Sequence, residues 1–151
     1  MSKISPEQKK KLLKMSDLWR RYDQVYEDWS QRQGLSTNAL TLLEEMLIRP
    51  EGVEPAEIAD YLGIPRQTMT STLDSLESKG FLARFPHEKD RRRKVVRFTP
   101  EGKKFAEKTV EGLHRWELDS LSSIGSRELD RTYLTLEILC RKMADSLKTE
   151  K

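Results

Sequence analysis

Residues 55–99 read PAEIADYLGIPRQTMTSTLDSLESKGFLARFPHEKDRRRKVVRFT, and a change of period inside them decides the fold. Pro55 is placed to open a short helix that turns Ile58, Ala59 and Leu62 inward, and Gly63 closes it. A turn of a few residues leads through Pro65 into a second helix. Met69, Leu73 and Leu76 form its inward stripe, and Gly80 is its stop. After Gly80 the spacing changes. FLARF and KVVRF are short and rich in aromatic and β-branched residues, and the polar PHEKDRRR between them predicts a two-stranded hairpin with a long basic tip.

Outward from this stretch the pattern is helical again. Ser36 or Thr37 can cap a helix carrying Leu40, Leu43, Met46 and Leu47, which ends before Pro50-Glu51-Gly52. Upstream, Leu12, Met15, Trp19, Tyr22, Tyr26 and Trp29 step by three and four along a seam that Leu18 and Val25 widen, with Gly34 as its stop. Downstream, Thr99 caps and Pro100 opens a helix with Phe105, Val110, Leu113, Trp116 and Leu121, ending near Gly125. Ser126 is placed to cap a last helix whose seam is Leu129, Tyr133, Leu136, Cys140, Met143 and Leu147. The first helix of the chain carries more apolar surface than one neighbour in a small domain covers, and the length fits one domain, or one domain plus extra helices that find their core in a partner subunit.

The order short helix, tight turn, second helix, basic hairpin is that of a winged helix-turn-helix. The fold class is therefore mainly α with a small β wing. Residues 35–102 form the winged helix-turn-helix region, and residues 1–34 and 103–151 form a helical dimerisation region of the same domain.

Composition narrows the function classes. The 151 residues are 36% hydrophobic and 35% charged, which argues against both a membrane protein and wholesale disorder. No run approaches the roughly 18 apolar residues of a spanning helix, and MSKISPEQKKKLLK lacks the apolar stretch of a secretory signal, so a cytoplasmic protein is expected. Cys140 is the only cysteine; it excludes an intrachain disulfide and, on an apolar seam, is expected to pack rather than sense redox state. His87 and His114 have no close Cys or carboxylate set, so no metal is expected; no cofactor is expected either. No nucleophile motif or Gly-rich phosphate loop appears, which argues against an enzyme.

Charge points to a partner. Net charge is +3, yet residues 84–97 hold Arg84, Lys89, Arg91, Arg92, Arg93, Lys94 and Arg97 against Glu88 and Asp90, a local net of +5 that leaves −2 elsewhere. One concentrated basic feature on a near-neutral body suits a polyanion, here double-stranded DNA. With Met69 inward, about 100° per residue puts Gln67, Ser71, Asp74 and Ser78 opposite it and Thr68 and Thr70 at the flanks. Small hydroxyl and amide side chains there can approach base edges, and the helix start favours phosphate. In an extended tip Asp90 and Arg92 share one face, so the carboxylate can hold the Arg92 guanidinium for insertion into a narrow minor groove. Arg91, Arg93 and Lys94 then meet flanking phosphates.

On Glu57-Ile-Ala-x-x-Leu-Gly63, Leu76-Glu-x-x-Gly80-Phe81-Leu82 and Asp90-x-Arg92 followed by Phe98-Thr99-x-x-Gly102, nearly the whole chain resembles the multiple-antibiotic-resistance regulator (MarR) family of winged-helix transcription factors. The resemblance implies a homodimer built from the terminal helices, Arg92 in the minor groove and the helix from Arg66 in the major groove. It also implies repression relieved by a small aromatic or amphipathic effector bound between the dimerisation and DNA-binding lobes. Paired reading heads imply a pseudo-palindromic operator. The major-groove candidates are then Arg66, Gln67, Thr68, Thr70 and Ser71, and the wing candidates are Asp90, Arg91, Arg92, Arg93 and Lys94. Trp19, Tyr22 and Tyr26 are candidates for an aromatic effector pocket, although a stripe at helical spacing favours a subunit interface. Where family members place a capping hydroxyl and basic residues, this chain has Pro65, Ser71 and Ser75. The alternative reading is a winged-helix protein-interaction module whose basic wing contacts an acidic partner.

Overall fold

The computed structural model describes residues 3–90 and 92–149, and Arg91 lies outside them. The elements are α1 (Pro6–Arg32), α2 (Thr37–Leu47), α3 (Pro55–Leu62), α4 (Arg66–Ser78), β1 (Leu82–Pro86), β2 (Lys94–Phe98), α5 (Pro100–Leu121) and α6 (Ser126–Thr149). They divide into two compact units, residues 1–110 and residues 111–151.

In the first unit the helix ends follow local chemistry. Ser36 caps α2 by accepting from the Ala39 N–H, and Gly63 ends α3 in the left-handed region at φ 66, which glycine adopts without strain. α1 starts earlier than its apolar seam, because Ser5 and Gln8 form a reciprocal capping box around Pro6. Glu27 on α1 accepts from the Thr37 hydroxyl at 2.5 Å and tethers α1 to the start of α2. The Lys79 ammonium donates to the Gly34 carbonyl at 2.6 Å and fixes the end of α4 beside the α1–α2 turn.

The core is built from Leu42, Leu43 and Met46 of α2, Ile58 and Ala59 of α3, Met69, Leu73 and Leu76 of α4, and Leu82 and Val96 of the hairpin. Phe81 and Phe105 stack against it with ring centroids 4.2 Å apart. The hairpin is antiparallel, with register pairs from Leu82–Phe98 to Pro86–Lys94. Val53 adds a third, one-residue bridge by exchanging hydrogen bonds with Val96 at 2.9 and 2.8 Å. The wing is thereby anchored on both edges, to α4 through the Gly80 turn and to the segment that enters α3.

The second unit holds the end of α5 and all of α6. Gly125, not Ser126, occupies the cap position of α6, since its carbonyl accepts from Glu128 and Leu129 while Ser126 is already helical. Cys140 is exposed in the single chain, contrary to the packed position expected from its seam. Its neighbours explain why: Tyr133, Leu134, Ile138, Met143 and Leu147 on the same helix are exposed as well. No helix among the described residues is long and apolar enough to cross a membrane.

Candidate nucleic-acid interface

α4 buries Met69, Thr72, Leu73 and Leu76 and leaves Arg66, Gln67, Thr68, Thr70 and Ser71 exposed, as its period predicts. Pro65 is the N-cap and supplies no side-chain hydrogen bond, so the first-turn N–H groups, at the positive end of the helix, have no capping side chain. The Thr70 and Ser71 hydroxyls donate to the carbonyls of Arg66 at 2.9 Å and Gln67 at 3.2 Å. Outward they offer lone pairs, which leaves the Gln67 amide as a donor on that face.

Arg66 reaches back to α3. Its Nε and Nη2 donate to the two Asp60 carboxylate oxygens at 3.1 and 2.6 Å. Those hydrogen bonds, with the charge attraction behind them, hold the Asp60 carboxyl below its ordinary range and push the Arg66 guanidinium above its own. Both side chains are more than half exposed, so solvent competes with the pair and the guanidinium is free to exchange partners.

The wing departs from its expected geometry. The His87 N–H donates to the Arg93 carbonyl at 3.1 Å, just beyond the Pro86–Lys94 pair, and this closes the base of the tip. Asp90 does not clamp the Arg92 guanidinium. Its carboxylate accepts from the Arg92 backbone N–H at 3.0 Å, and its carbonyl accepts from the Arg93 N–H at 2.9 Å. The tip is a turn rather than an extended segment, so alternate residues do not share a face, and an Asp side chain closes on the backbone two residues ahead. Arg92 is left exposed, and among the described residues it forms no ion pair.

Arg93 is not a free cation. Its Nε and Nη2 donate to both oxygens of Glu54 at 2.5 and 2.6 Å, and Nη2 also donates to Glu57 at 2.6 Å. The Glu54 hydrogen bonds are the main cause of a guanidinium pKa raised further above its ordinary value. Glu54 is the N-cap residue of α3, yet it makes no cap hydrogen bond, because its carboxylate is turned to the wing. The Glu54 side chain is only 15% exposed, which shields this pair as the Arg66 pair is not. His87 Nδ1 accepts from the Lys89 N–H, so the neutral ring carries its proton on Nε2, 3.6 Å from Glu54.

Arg84 is similarly engaged: it forms ion pairs with Asp74 and Glu77 of α4 and joins the wing to that helix. Arg97 donates to the Glu51 carbonyl at 2.8 Å and lies over the Phe85 ring. The basic stretch therefore presents Lys89, Arg92 and Lys94 outward, while Arg84 and Arg93 are neutralised by four carboxylates. Sequence reasoning missed Glu54, Glu57 and Asp60. The signal was a run of acids at intervals of three from the start of a helix that precedes a basic hairpin.

The aromatic trio lies along α1, with Trp19 and Tyr22 43% and 55% exposed in the single chain. The Tyr22 hydroxyl donates to that of Tyr26 at 3.2 Å along one face of the helix. A cleft of about 570 Å³ in the first unit lies between α3 and the wing and is lined by Arg49, Tyr61, Glu57, Val95 and Arg97 among others.

Residues 33–93, which hold the helix-turn-helix and most of the wing, match the model of the MarR family. Over that segment the chain belongs to the MarR family. It is 38% identical over 79 residues to the HTH-type transcriptional regulator PecS of Dickeya dadantii, covering 52% of this chain and 48% of that one. It is 33% identical over 104 residues to the uncharacterized HTH-type transcriptional regulator YfiV of Bacillus subtilis, covering 68% and 65%. The chain thus spans about half to two thirds of the length of these curated relatives. The same fold is seen in the S. aureus MepR–DNA complex, at a TM-score of 0.75 and 20% identity over 84% of this chain and 96% of that one. Within the MarR family frame, α4 is the second helix of the helix-turn-helix and the β1–β2 hairpin is the wing.

Proposed function

We propose that this MarR-family chain is a sequence-specific regulator of transcription that binds a pseudo-palindromic operator as a homodimer. One observation carries the reading. A single compact unit presents an uncapped helix start with exposed Arg66, Gln67, Thr68, Thr70 and Ser71, and beside it a braced wing from which Arg92 projects unpaired. α4 enters the major groove and Arg92 the minor groove, with Lys89 and Lys94 near phosphates.

Homodimerisation is supported by the exposed apolar residues of α1 (Leu12, Leu18, Trp19, Tyr22, Val25) and of α6, which stay open in the single chain. The family likeness supports repression and its relief by a small aromatic or amphipathic effector. An effector relieves repression only by binding the DNA-free arrangement more tightly.

The test is selection of bound sequences from random duplex DNA, followed by titration of the selected duplex at several salt concentrations. Affinity falls steeply with salt, and Arg92→Ala weakens the selected duplex at least about tenfold. A wild-type protein that ignores duplexes in dilute buffer while binding acidic proteins overturns this reading in favour of a protein-interaction module.

A further inference from the structure

We infer that Arg93 is not a DNA contact but the latch of the wing, and that Glu54 and Glu57 are the positioning residues that set how Arg92 is presented. The inference rests on the DNA-binding reading above and concerns the same surface. Three observations carry it.

First, the geometry is a fork. Nε and Nη2 of Arg93 meet the two oxygens of one carboxylate, and Nη2 is shared with a second, so the planar donor set is filled on the side that faces α3. A guanidinium held this way has no comparable set of donors left for a phosphate.

Second, the latch sits where it controls the tip. The Arg93 carbonyl closes the loop by accepting from the His87 N–H, and the Arg93 N–H donates to the Asp90 carbonyl. The same residue thereby fixes the loop base through its backbone and fixes the base to α3 through its side chain. Arg92, its immediate neighbour, is the residue whose direction this determines.

Third, Glu54 forgoes the usual task of its position. Glu54 occupies the cap position of α3 without capping it, although an acceptor there ordinarily stabilises a helix. Glu57 lies one turn on, on the same face, and its carboxylate completes the pair. Two negative charges near a DNA-binding wing oppose binding unless a cation neutralises them, so their presence is explained by the latch.

The salt dependence of duplex binding separates a latch from a contact, because each phosphate neutralised contributes about 0.9 to the slope of log K against log salt. Arg92→Ala, as the reference, flattens the slope by about 0.9 per wing. Arg93→Gln leaves the slope unchanged but lowers affinity for the selected duplex more than for a mixed-sequence duplex of the same length. Arg93→Lys keeps the charge and loses the fork, so it behaves like Arg93→Gln. The double variant Glu54→Gln/Glu57→Gln frees Arg93, which steepens the slope by up to about 0.9 per wing and narrows the preference for the selected duplex.

Amide hydrogen exchange at His87 and Arg93, measured without DNA, reads the latch independently and accelerates in the two Arg93 variants and in the double glutamate variant. Circular dichroism melts confirm that each variant is folded. Wild-type protein that binds no duplex defeats the DNA reading alone, and the exchange measurement still decides the latch. If Arg93→Gln flattens the slope as much as Arg92→Ala, or Arg93→Lys binds like wild type, Arg93 is a phosphate contact and the latch is wrong.

Discussion

Gly102→Ala tests whether the junction of wing and α5 is as tight as the structure makes it. Gly102 is the third residue of α5, and a Cβ there falls 1.8 Å from the Phe81 carbonyl oxygen, with the Phe81 backbone carbon at 2.5 Å. Real Cβ contacts essentially never fall below 3.0 Å, so the helix start must withdraw by at least 1.2 Å. The obstacle is backbone and cannot swing aside. Withdrawal disturbs the bonds that dock α5: the Thr99 N–H to the Phe81 carbonyl at 3.0 Å and the Thr99 hydroxyl to the Gly80 carbonyl at 2.7 Å. Losing the docking bond and the cap costs about 1 kcal/mol each, and overpacking adds about 1–3 kcal/mol. Alanine in a helix returns about 1 kcal/mol relative to glycine. The expected net loss is about 2–4 kcal/mol, which lowers a urea midpoint by roughly 1–2 M. Gly34→Ala is the control, since Gly34 has φ 71 and nothing within 4 Å of its Cβ; it costs only the left-handed strain of about 1–2 kcal/mol. A Gly102→Ala protein with an unchanged or raised midpoint refutes the steric argument.

Two further outcomes follow from the termini. Glu27 accepts from Thr37 and Gln31, and these hydrogen bonds, the Thr37 hydroxyl foremost, hold its carboxyl below the ordinary 4.5 against the opposing effect of burial. A lowered folded value means the bond contributes fully above the ordinary value and is lost as pH falls through the folded one. The urea midpoints of wild type and Glu27→Gln are therefore well separated at neutral pH and converge below about pH 4; a constant gap contradicts the tether. On α6, Leu134 and Ile138 are 56% and 40% exposed and lie one turn apart. Converting both to Glu yields a monomer in sedimentation velocity if that face is a subunit interface, and an unchanged dimer places the interface elsewhere.

The elements were legible where punctuation and period agree. Pro55 and Gly63 bound α3 where they stand, and Met69, Leu73 and Leu76 face the core as their spacing requires. The start of α1 was equally written in Ser5-Pro6-Glu7-Gln8, a capping pattern that a search for apolar periodicity passes over. The Val53 bridge was not legible, since one residue shows no alternation; it depends on Gly52, whose φ of 94 lets the chain approach Val96. At the wing, the sequence located the cations but not their fates. The carboxylates that engage Arg93 lie 39 and 36 residues away, so only the fold decides that this arginine faces inward while Arg92 faces out.

α3 gains a definite role from these pairings. It carries Glu54, Glu57 and Asp60 at intervals of three, a spacing that keeps neighbouring acids on adjoining faces. Through them it holds one cation from the wing, Arg93, and one from the start of α4, Arg66. The two attachments differ in strength for a physical reason. The Glu54 carboxylate is shielded and forks Arg93, whereas Asp60 and Arg66 face solvent and exchange readily. A shielded attachment fixes geometry, and an exposed one stores a cation that phosphate can capture. On the proposed DNA-binding reading, α3 holds the wing through a shielded pair and keeps the charge of α4 in an exposed pair for which phosphate would compete.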